Sequence, residues 1–207
     1  MVASRSATVR RLGSGGDVIR GRTKTVRRGW SRERGIATLS AMIAPYEASV
    51  ELLADHIEFV PTIARWHFDE WYPINSEVTV EDIAVRLSTW ANRETMPLTY
   101  AAVEHGVPLG AASLVVHDMA PPAAGCEDLT PWLSGVFVVP ERRGTGLGPA
   151  IVGACETMAA RLGYPEIYLF TAARTADRFY IPIGWSILDV VAYDGRQVTV
   201  MAKALVT

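Results

Sequence analysis

Hydrophobic positions change between helical and extended spacing along the chain, and the changes predict a domain of mixed α/β type. Residues 59–72 repeat apolar side chains at helical spacing, and Thr79 with Asp82 forms a capping-box start for a second helix. His105-Gly106-Val107 and Asp194-Gly195 are turn sequences that join strands into hairpins. The pattern predicts strands at 49–54, 98–104, 109–117, 133–139, 167–171, 185–192 and 197–204, and helices at 59–72, 79–91, 149–162 and 175–181.

This order predicts a central mixed sheet of about seven strands with four helices. It runs strand, two helices, three strands, helix, strand, helix and two strands. Strand 133–139 has few polar side chains, as is typical of a strand at the centre of a sheet. The helix 149–162 carries one apolar stripe and stops at Gly163 and Pro165.

A glycine-rich turn between strand 133–139 and helix 149–162 is the most specific motif. Alternating glycines at 144, 146 and 148 leave backbone N–H groups open at a helix start, which suits a phosphate. A Walker loop is excluded because the chain has no lysine between Lys24 and Lys203. A dinucleotide fingerprint counted from Gly144 fails at Pro149, where it needs glycine. The pattern that remains is Val138-x-Pro140-x-x-Arg143-x-x-Gly146-x-Gly148.

Charge divides the chain near residue 35. Residues 1–35 hold ten basic and two acidic side chains, whereas residues 36–207 hold ten basic and twenty acidic ones, a formal balance of −10. The basic segment has little apolar periodicity, so we predict a disordered extension over 1–41 and one globular domain over 42–207. Upstream sequence, a tail for nucleic acid or anionic surfaces and a transit peptide remain alternatives for the extension.

The turn motif resembles the acyl-CoA signature of the GNAT superfamily of N-acetyltransferases. Downstream, the segment from Ala176 to Trp185, with Tyr180 and Gly184, resembles a second hallmark of that family. The resemblance covers roughly residues 45–205, with specific motifs in 136–185. It implies a GNAT-like fold in which the fourth and fifth strands run parallel and splay apart to admit the pantetheine arm.

The resemblance implies acetyl-CoA as co-substrate and no metal. It assigns the diphosphate to the turn, the pantetheine amides to two backbone positions of the fourth strand, and a further contact to the end of the fifth. The implied cofactor residues are Phe137, Val138, Arg143, Gly144, Thr145, Gly146, Leu147, Gly148 and Thr171. Thr171 stands where many relatives carry asparagine.

For catalysis the resemblance places Tyr180 near the sulfur, where a phenol with a pKa of about 10 can act as general acid. Many relatives carry a glutamate where this chain has Ser134, which can only hold a water. His117 is a substitute base of suitable intrinsic pKa. The other substitutes at strand ends or in the adjoining loop are Asp118, Glu104, Glu127 and Asp128.

The acceptor is expected to be a primary amine of a small molecule or a peptide. Trp71 and Trp132 are candidate walls of its pocket, and Glu70 a candidate contact for a cation. The acidic balance favours a cationic acceptor and disfavours nucleic acid as partner of the folded domain. A cytoplasmic enzyme without a membrane partner is expected, and a homodimer is left open. The alternative function is an acyl-CoA-binding module without catalysis.

Overall fold

The computed structural model describes residues 48–72, 77–119, 123 and 125–206. The predicted boundary at residues 41–42 lies outside this part of the chain. The strands are β1 Ser49–Leu52, β2 Leu98–Glu104, β3 Val107–Val115, β4 Trp132–Val138, β5 Glu166–Thr171, β6 Ser186–Tyr193 and β7 Arg196–Ala204. The helices are α1 Val60–Trp71, α2 Val80–Thr89, α3 Leu147–Arg161 and α4 Ala173–Thr175, which continues as a π turn over Ala176–Tyr180 and a 3-10 turn over Ile181–Ile183. The predicted order of elements is confirmed.

The strands form one mixed sheet in the order β1-β2-β3-β4-β5-β7-β6. All neighbouring pairs are antiparallel except β4 and β5, which run parallel and share only the register pair Trp132 with Tyr168. The contact lies at the first residue of β4, so the two strands are unpaired toward their carboxyl ends. This is the splay that the resemblance implied.

Helices cover both faces of the sheet and create two main apolar cores. On one face, α3 packs side chains such as Ile151 and Cys155 against Leu98 and Leu114 of the sheet. On the other, α1 and α2 bury Ile63 and Leu87 among a second set that includes Ala101, Val103 and Ala111. Alternate residues of β2 and β3 therefore serve opposite cores, as the period of a strand requires.

The helix starts follow their local sequences. The side chain of Thr79 accepts a hydrogen bond from the N–H of Asp82 at 3.2 Å, and the Asp82 carboxylate accepts one from the N–H of Thr79 at 2.9 Å. This is the predicted capping box at the start of α2. Among the helices of the described residues, none combines the length and the apolar character that crossing a membrane requires.

A bulge interrupts β4, and the sequence pattern does not predict it. The register advances two residues on β3, from Ala111 to Ser113, while it advances three on β4, from Phe137 back to Ser134. Gly135, inside the bulge, has a φ of +61°, a backbone conformation that glycine adopts without steric cost. The bulge turns β4 at the point where it leaves β5, and so shapes the head of the slot between them.

Candidate functional site

The turn between β4 and α3 presents a row of open backbone donors. Gly144 and Gly146 have φ values of +78° and +93°, and no side chain caps the start of α3. Among the described residues, no acceptor lies within hydrogen-bond distance of the N–H groups from Gly144 to Gly148. These groups and the positive end of α3 together make a site for an anion such as a diphosphate.

The close packing behind this turn requires glycine at Gly148. A Cβ atom there would lie 3.0 Å from the ring of Phe179, which follows α4. Gly148 therefore brings the start of α3 against the segment that carries Tyr180.

The edge of β4 that faces the slot offers peptide groups for an extended ligand. The N–H of Val139 donates to Leu109 of β3 at 2.9 Å, so the alternation of the ladder turns the peptide groups of Val138 and Val136 toward the slot. Phe137, paired with Ala111, turns its peptide groups toward β3 instead. The geometry thus favours Val136 and Val138 as the pantetheine contacts, rather than the expected pair of Phe137 and Val138.

Arg143 ties the turn to β4 and α1 and does not extend freely toward a phosphate. Its Nε donates to the carbonyl of Val138 at 2.9 Å, and its guanidinium lies 5.6 Å from the centre of the Phe137 ring. The same guanidinium is 3.6 Å from the carboxylate of Glu70. Glu70 therefore faces Arg143, and its expected contact with an acceptor cation has no support from its position.

Tyr180 lies in the core at the side of the slot. It is 6% exposed and packs edge-on against Phe179 and Trp185. Burial raises the pKa of its phenol well above the ordinary value, with smaller contributions from Cys155 and Asp118. Tyr180 therefore keeps its proton throughout the neutral pH range.

A partly buried ionic network holds the Tyr180 segment against α3 and β7. The Nζ of Lys203 donates to both carboxylate oxygens of Glu156 at 2.8 and 2.7 Å and to the carbonyl of Ile183 at 2.9 Å. The indole N–H of Trp185 donates to the same carboxylate at 2.9 Å. Glu156 thus receives hydrogen bonds from Trp185, just after the turn that follows Tyr180, and from Lys203 of β7.

Replacing Glu156 by alanine should lower the free energy of unfolding by about 2–4 kcal/mol, because the ammonium of Lys203 loses its counter-ion and the indole N–H of Trp185 loses its acceptor. Urea denaturation of the variant measures this loss. Glu166→Gln is the matched control, because Glu166 is exposed on β5 and, within the described part of the chain, its carboxylate accepts a hydrogen bond from Tyr168 alone. Equal stability of the two variants would contradict the anchoring role of Glu156.

Ser134 and Asp118 form a polar pair across the ends of β3 and β4. The hydroxyl of Ser134 donates to the Asp118 carboxylate at 2.5 Å. Burial raises the pKa of Asp118 to about 6, against the hydrogen bond from Ser134 and the positive charge of Arg86, which lower it. The pair provides a carboxylate that is ionised at neutral pH but basic enough to accept a proton.

His67 of α1 fills the bulge of β4 from the helix side. A Cβ atom on Gly135 would lie 2.7 Å from its imidazole carbon Cε1, so only glycine allows this contact. The side chain is 5% exposed, and its Nε2 has no hydrogen-bond partner among the residues that the structure describes. Burial and the charge of Arg86 lower the pKa of His67 to about 4, while a hydrogen bond to the backbone of Gly135 opposes them. His67 is therefore neutral at physiological pH.

His67 and Asp118 should have opposite effects on stability between pH 4 and 6.5. Folding lowers the pKa of His67 from 6.5 to about 4. The unfolded chain therefore binds a proton at this residue more readily than the folded chain, and the free energy of unfolding decreases as pH falls from 6.5 to 4. Folding raises the pKa of Asp118 from 3.8 to about 6, so stability is lost as pH rises through that range. The two effects nearly cancel in the wild type.

Single substitutions should separate these effects. The quantity to compare is the change in the free energy of unfolding from pH 4 to pH 6.5. For Asp118→Asn this change should be about 3 kcal/mol more positive than for the wild type, and for His67→Gln about 3 kcal/mol more negative. Urea titrations of the three proteins at both pH values measure the changes. Parallel pH dependence in all three would show that neither pKa is shifted by folding.

Of the two tryptophans predicted to line the acceptor pocket, one is exposed and one is buried. Trp71 is 44% exposed near the bulge, where its ring centre lies 5.0 Å from that of His67, so it is available as a wall. Trp132 is 1% exposed, and its indole N–H donates to Leu129 at 2.6 Å. It belongs to a third core cluster and offers almost no surface to a substrate.

The candidate bases other than Asp118 lie away from Ser134 or are already paired. His117 is exposed just after β3, and Glu104 forms an ion pair with Arg142. Glu127 and Asp128 are exposed in the loop before β4, and Thr171 is half-buried at the end of β5. Of the substitutes considered, Asp118 alone forms a hydrogen bond with Ser134 among the described residues.

Sequence reasoning missed His67 and Arg86 as members of this region. His67 lies on the apolar face of its helix, where the pattern alone suggests packing, and the spacing of Arg86 does not distinguish it from a surface charge. The sequence offered two signals. One is a histidine in the apolar stripe of α1, and the other is Gly135 inside a strand, because a glycine within a strand often marks a bulge.

Comparisons with known proteins agree with this geometry. The family model described as acetyltransferase (GNAT) family matches residues 60–185. A search of curated proteins returned no match.

Three solved structures illustrate the similarity of fold. A GNAT-family acetyltransferase from Streptococcus pneumoniae is 17% identical, with a TM-score of 0.56 over 77% of this chain and 100% of that one. Ard1 from Thermoplasma volcanium is 14% identical, with a TM-score of 0.56 over 78% and 100%. An aminoglycoside 6'-N-acetyltransferase complexed with coenzyme A is 17% identical, with a TM-score of 0.55 over 77% and 98%.

Proposed function

Because the chain belongs to the GNAT acetyltransferase family, an enzyme family that transfers acetyl groups, we propose that it moves an acetyl group from acetyl-CoA to a primary amine. The observation that carries this proposal is the slot between β4 and β5. β4 leads from this slot into the turn with its open N–H donors, and Asp118 is close enough to Tyr180 for its charge to raise the pKa of the phenol. We propose direct attack by the amine while both substrates are bound.

Acetyl-CoA is the co-substrate that fits the donors of this site. The N–H groups from Gly144 to Gly148 would hold the diphosphate, and the peptide groups of Val136 and Val138 would pair with the pantetheine amides. Arg143 already donates to the carbonyl of Val138. That carbonyl oxygen has a second lone pair, so a pantetheine amide can donate to it beside the Nε of Arg143.

Asp118 is the proposed general base, with Ser134 as the group that orients it. As the amine nitrogen bonds to the acetyl carbon, its proton passes to the carboxylate, directly or through the Ser134 hydroxyl, and the carbon–sulfur bond breaks. A pKa of about 6 leaves Asp118 mainly ionised at pH 7 and above. An acceptor with an α-amine suits this base best, since removing its proton at pH 7 costs only about 1.4 kcal/mol, against 4–5 for a lysine-like amine.

Tyr180 is the proposed hydrogen-bond donor to the departing sulfur. Its raised pKa lies above the value of about 8.5 that is normal for a thiol, so the phenol stabilises the thiolate without surrendering its proton completely. When Asp118 accepts the proton of the amine, its negative charge near Tyr180 disappears. The phenol then becomes a better donor at the moment when the sulfur gains charge.

Replacing Tyr180 by phenylalanine should lower kcat by about 10- to 100-fold, the range that the loss of a hydrogen bond to a charged group produces. The Kd for acetyl-CoA should change less than threefold, because the phenol interacts with the sulfur mainly after the thioester breaks. Steady-state kinetics and calorimetric titration measure the two quantities. An unchanged kcat would remove the role assigned to Tyr180.

Direct attack is favoured over a covalent acyl-enzyme by the state of the two cysteines. Cys126 and Cys155 are both buried, and burial raises the pKa of each thiol above its ordinary value. Neither is poised to form the thiolate that a nucleophilic cysteine requires.

Release of the free thiol of CoA tests the proposed reaction. The purified chain is mixed with acetyl-CoA and panels of α-amino acids, peptides, polyamines and aminoglycosides, and the thiol is detected by its reaction with a disulfide reagent. Thiol release that requires an amine supports acetyl transfer. Calorimetric binding of acetyl-CoA without release by any amine supports the alternative, a non-catalytic binding module. The absence of binding contradicts both.

The charge of the chain bears on the kind of acceptor. The acidic balance of residues 36–207 favours an acceptor whose amine arrives as a cation. A cytoplasmic location fits an enzyme that takes acetyl-CoA from solution, and fractionation of cells that express the protein would test it.

A further inference from the structure

An arginine of α2 has only neutral side chains as contacts in the part of the chain that the structure describes. Arg86 of α2 donates through NH2 to the hydroxyl of Tyr72 at 3.1 Å, and its guanidinium carbon lies 5.4 Å from the centre of the Trp90 ring. Both partners are neutral. Among the described residues, no carboxylate lies within ion-pair distance of Arg86, whereas Arg65, Arg93, Arg142 and Arg143 each have one.

The contacts of Trp90 place this charge beside the proposed base. Trp90 packs against the α1–α2 core and also against the cluster that contains Met119 and Trp132. Met119 follows Asp118 directly in the chain. The positive charge of Arg86 accordingly acts on both Asp118 and His67, although neither forms an ion pair with it.

Asp118 and Arg86 are thus two charges of opposite sign that interact without forming an ion pair. Asp118 with Ser134 forms the negative end, beside the slot that would hold the thioester. Arg86 forms the positive end, held in place by Tyr72 and Trp90. The positive charge of Arg86 also acts on the buried His67, which is neutral at physiological pH. A ligand that completes this arrangement carries N–H donors on one side and an anion on the other.

We propose that the acceptor is a small molecule with a carboxylate, or a similar oxyanion, beside its primary amine, and that Arg86 binds the anion. This inference rests on the proposed acetyl transfer, whose amine it places at Asp118. The guanidinium fork matches two oxygens of a carboxylate, and the neutral partners of Arg86 leave its charge available for that contact. A polyamine has no group for Arg86 and would be repelled by it.

The test compares matched acceptors in the thiol-release assay. Each α-amino acid of a panel of aromatic, aliphatic and polar side chains is paired with its carboxamide, which keeps the amine and removes the anion. Since the carboxamide has the lower amine pKa, each pair is measured at several pH values and compared per unprotonated amine. Polyamines and aminoglycosides complete the panel. We expect kcat/KM for the preferred acid to exceed that of its carboxamide at least tenfold.

The variant Arg86→Gln should remove this preference. Measured above pH 8, where Asp118 stays ionised without the charge of Arg86, it should raise the KM for the acid at least tenfold, change that for the carboxamide less than twofold and leave the Kd for acetyl-CoA unchanged. Arg65→Gln is the control, because Arg65 is an exposed arginine of α1 paired with Asp69. It should preserve the preference. Arg86→Lys should restore part of it, because the charge returns without the fork.

The outcomes separate this inference from the reaction itself. Release of thiol with polyamines, aminoglycosides or carboxamides in preference to the acids would overturn the role of Arg86 and leave acetyl transfer intact. An acid preference that survives in Arg86→Gln would also overturn it. Binding of acetyl-CoA without release by any amine would contradict the proposed reaction, and the acceptor class with it.

Discussion

Replacing Asp118 by asparagine is expected to lower kcat/KM at pH 8 by at least 100-fold, the lower end of what a general base contributes. Asparagine has nearly the same shape and can still accept the hydrogen bond from Ser134, so the loss reflects the missing proton acceptor. The wild-type profile of kcat/KM should rise with pH through about 6, where Asp118 ionises, and the variant should lack that limb. Steady-state kinetics from pH 5 to pH 9 measure both effects.

Two control variants limit the interpretation of this result. Glu127→Gln removes an exposed carboxylate of the loop before β4 and should leave the profile unchanged. Ser134→Ala keeps the base but removes its hydrogen bond, so it should cost about tenfold and shift the acidic limb upward. Asp118→Asn should also be more stable than the wild type at pH 7, which separates a catalytic defect from unfolding. A wild-type rate in Asp118→Asn would exclude Asp118 as the base.

Replacing Gly146 by valine is expected to raise the Kd for acetyl-CoA at least 100-fold. The φ of +93° at this position strains any β-branched residue, and the branched side chain would stand over the N–H groups that a diphosphate needs. Loss of these charge-assisted hydrogen bonds, each of about 1.5–3 kcal/mol, accounts for a change of this size. Isothermal titration of wild type and variant with acetyl-CoA measures it.

Gly153→Ala serves as the control for Gly146. Gly153 lies within α3, and a Cβ atom there meets no atom within 4 Å. Alanine should stabilise the helix by about 0.5–1 kcal/mol and leave the Kd unchanged. A Gly146→Val protein that is folded by circular dichroism and binds acetyl-CoA like the wild type would show that the diphosphate does not bind at this turn.

The fold and the phosphate-binding turn could be predicted because they depend on local sequence. The capping box at Thr79 and the strand-to-helix transition across Gly146 each carry their information within a few residues. The divergence of β4 from β5 could be anticipated only through the family resemblance, because strand pairing depends on partners distant in sequence. The bulge at Gly135 was missed because it too depends on how two strands align.

The chemistry beside the turn was harder to predict because burial decides it. His117 and Asp118 are adjacent in sequence and both follow β3, yet the first is exposed and the second is hydrogen-bonded to Ser134. Nothing in the local pattern distinguishes their directions. Trp132 offered a similar ambiguity, because an aromatic side chain at the start of a central strand can line a pocket or fill a core. Here it fills the core.

A crystal structure with a non-hydrolysable acetyl-CoA analogue, whose sulfur is replaced by carbon, tests the central claim most directly. The account predicts the diphosphate against the N–H groups from Gly144 to Gly148 and the pantetheine arm along the Val136 and Val138 edge of β4. The carbonyl of the analogue should then lie between the Tyr180 hydroxyl and the Ser134–Asp118 pair. An empty turn, or an arm that leaves the gap between β4 and β5, would contradict the account.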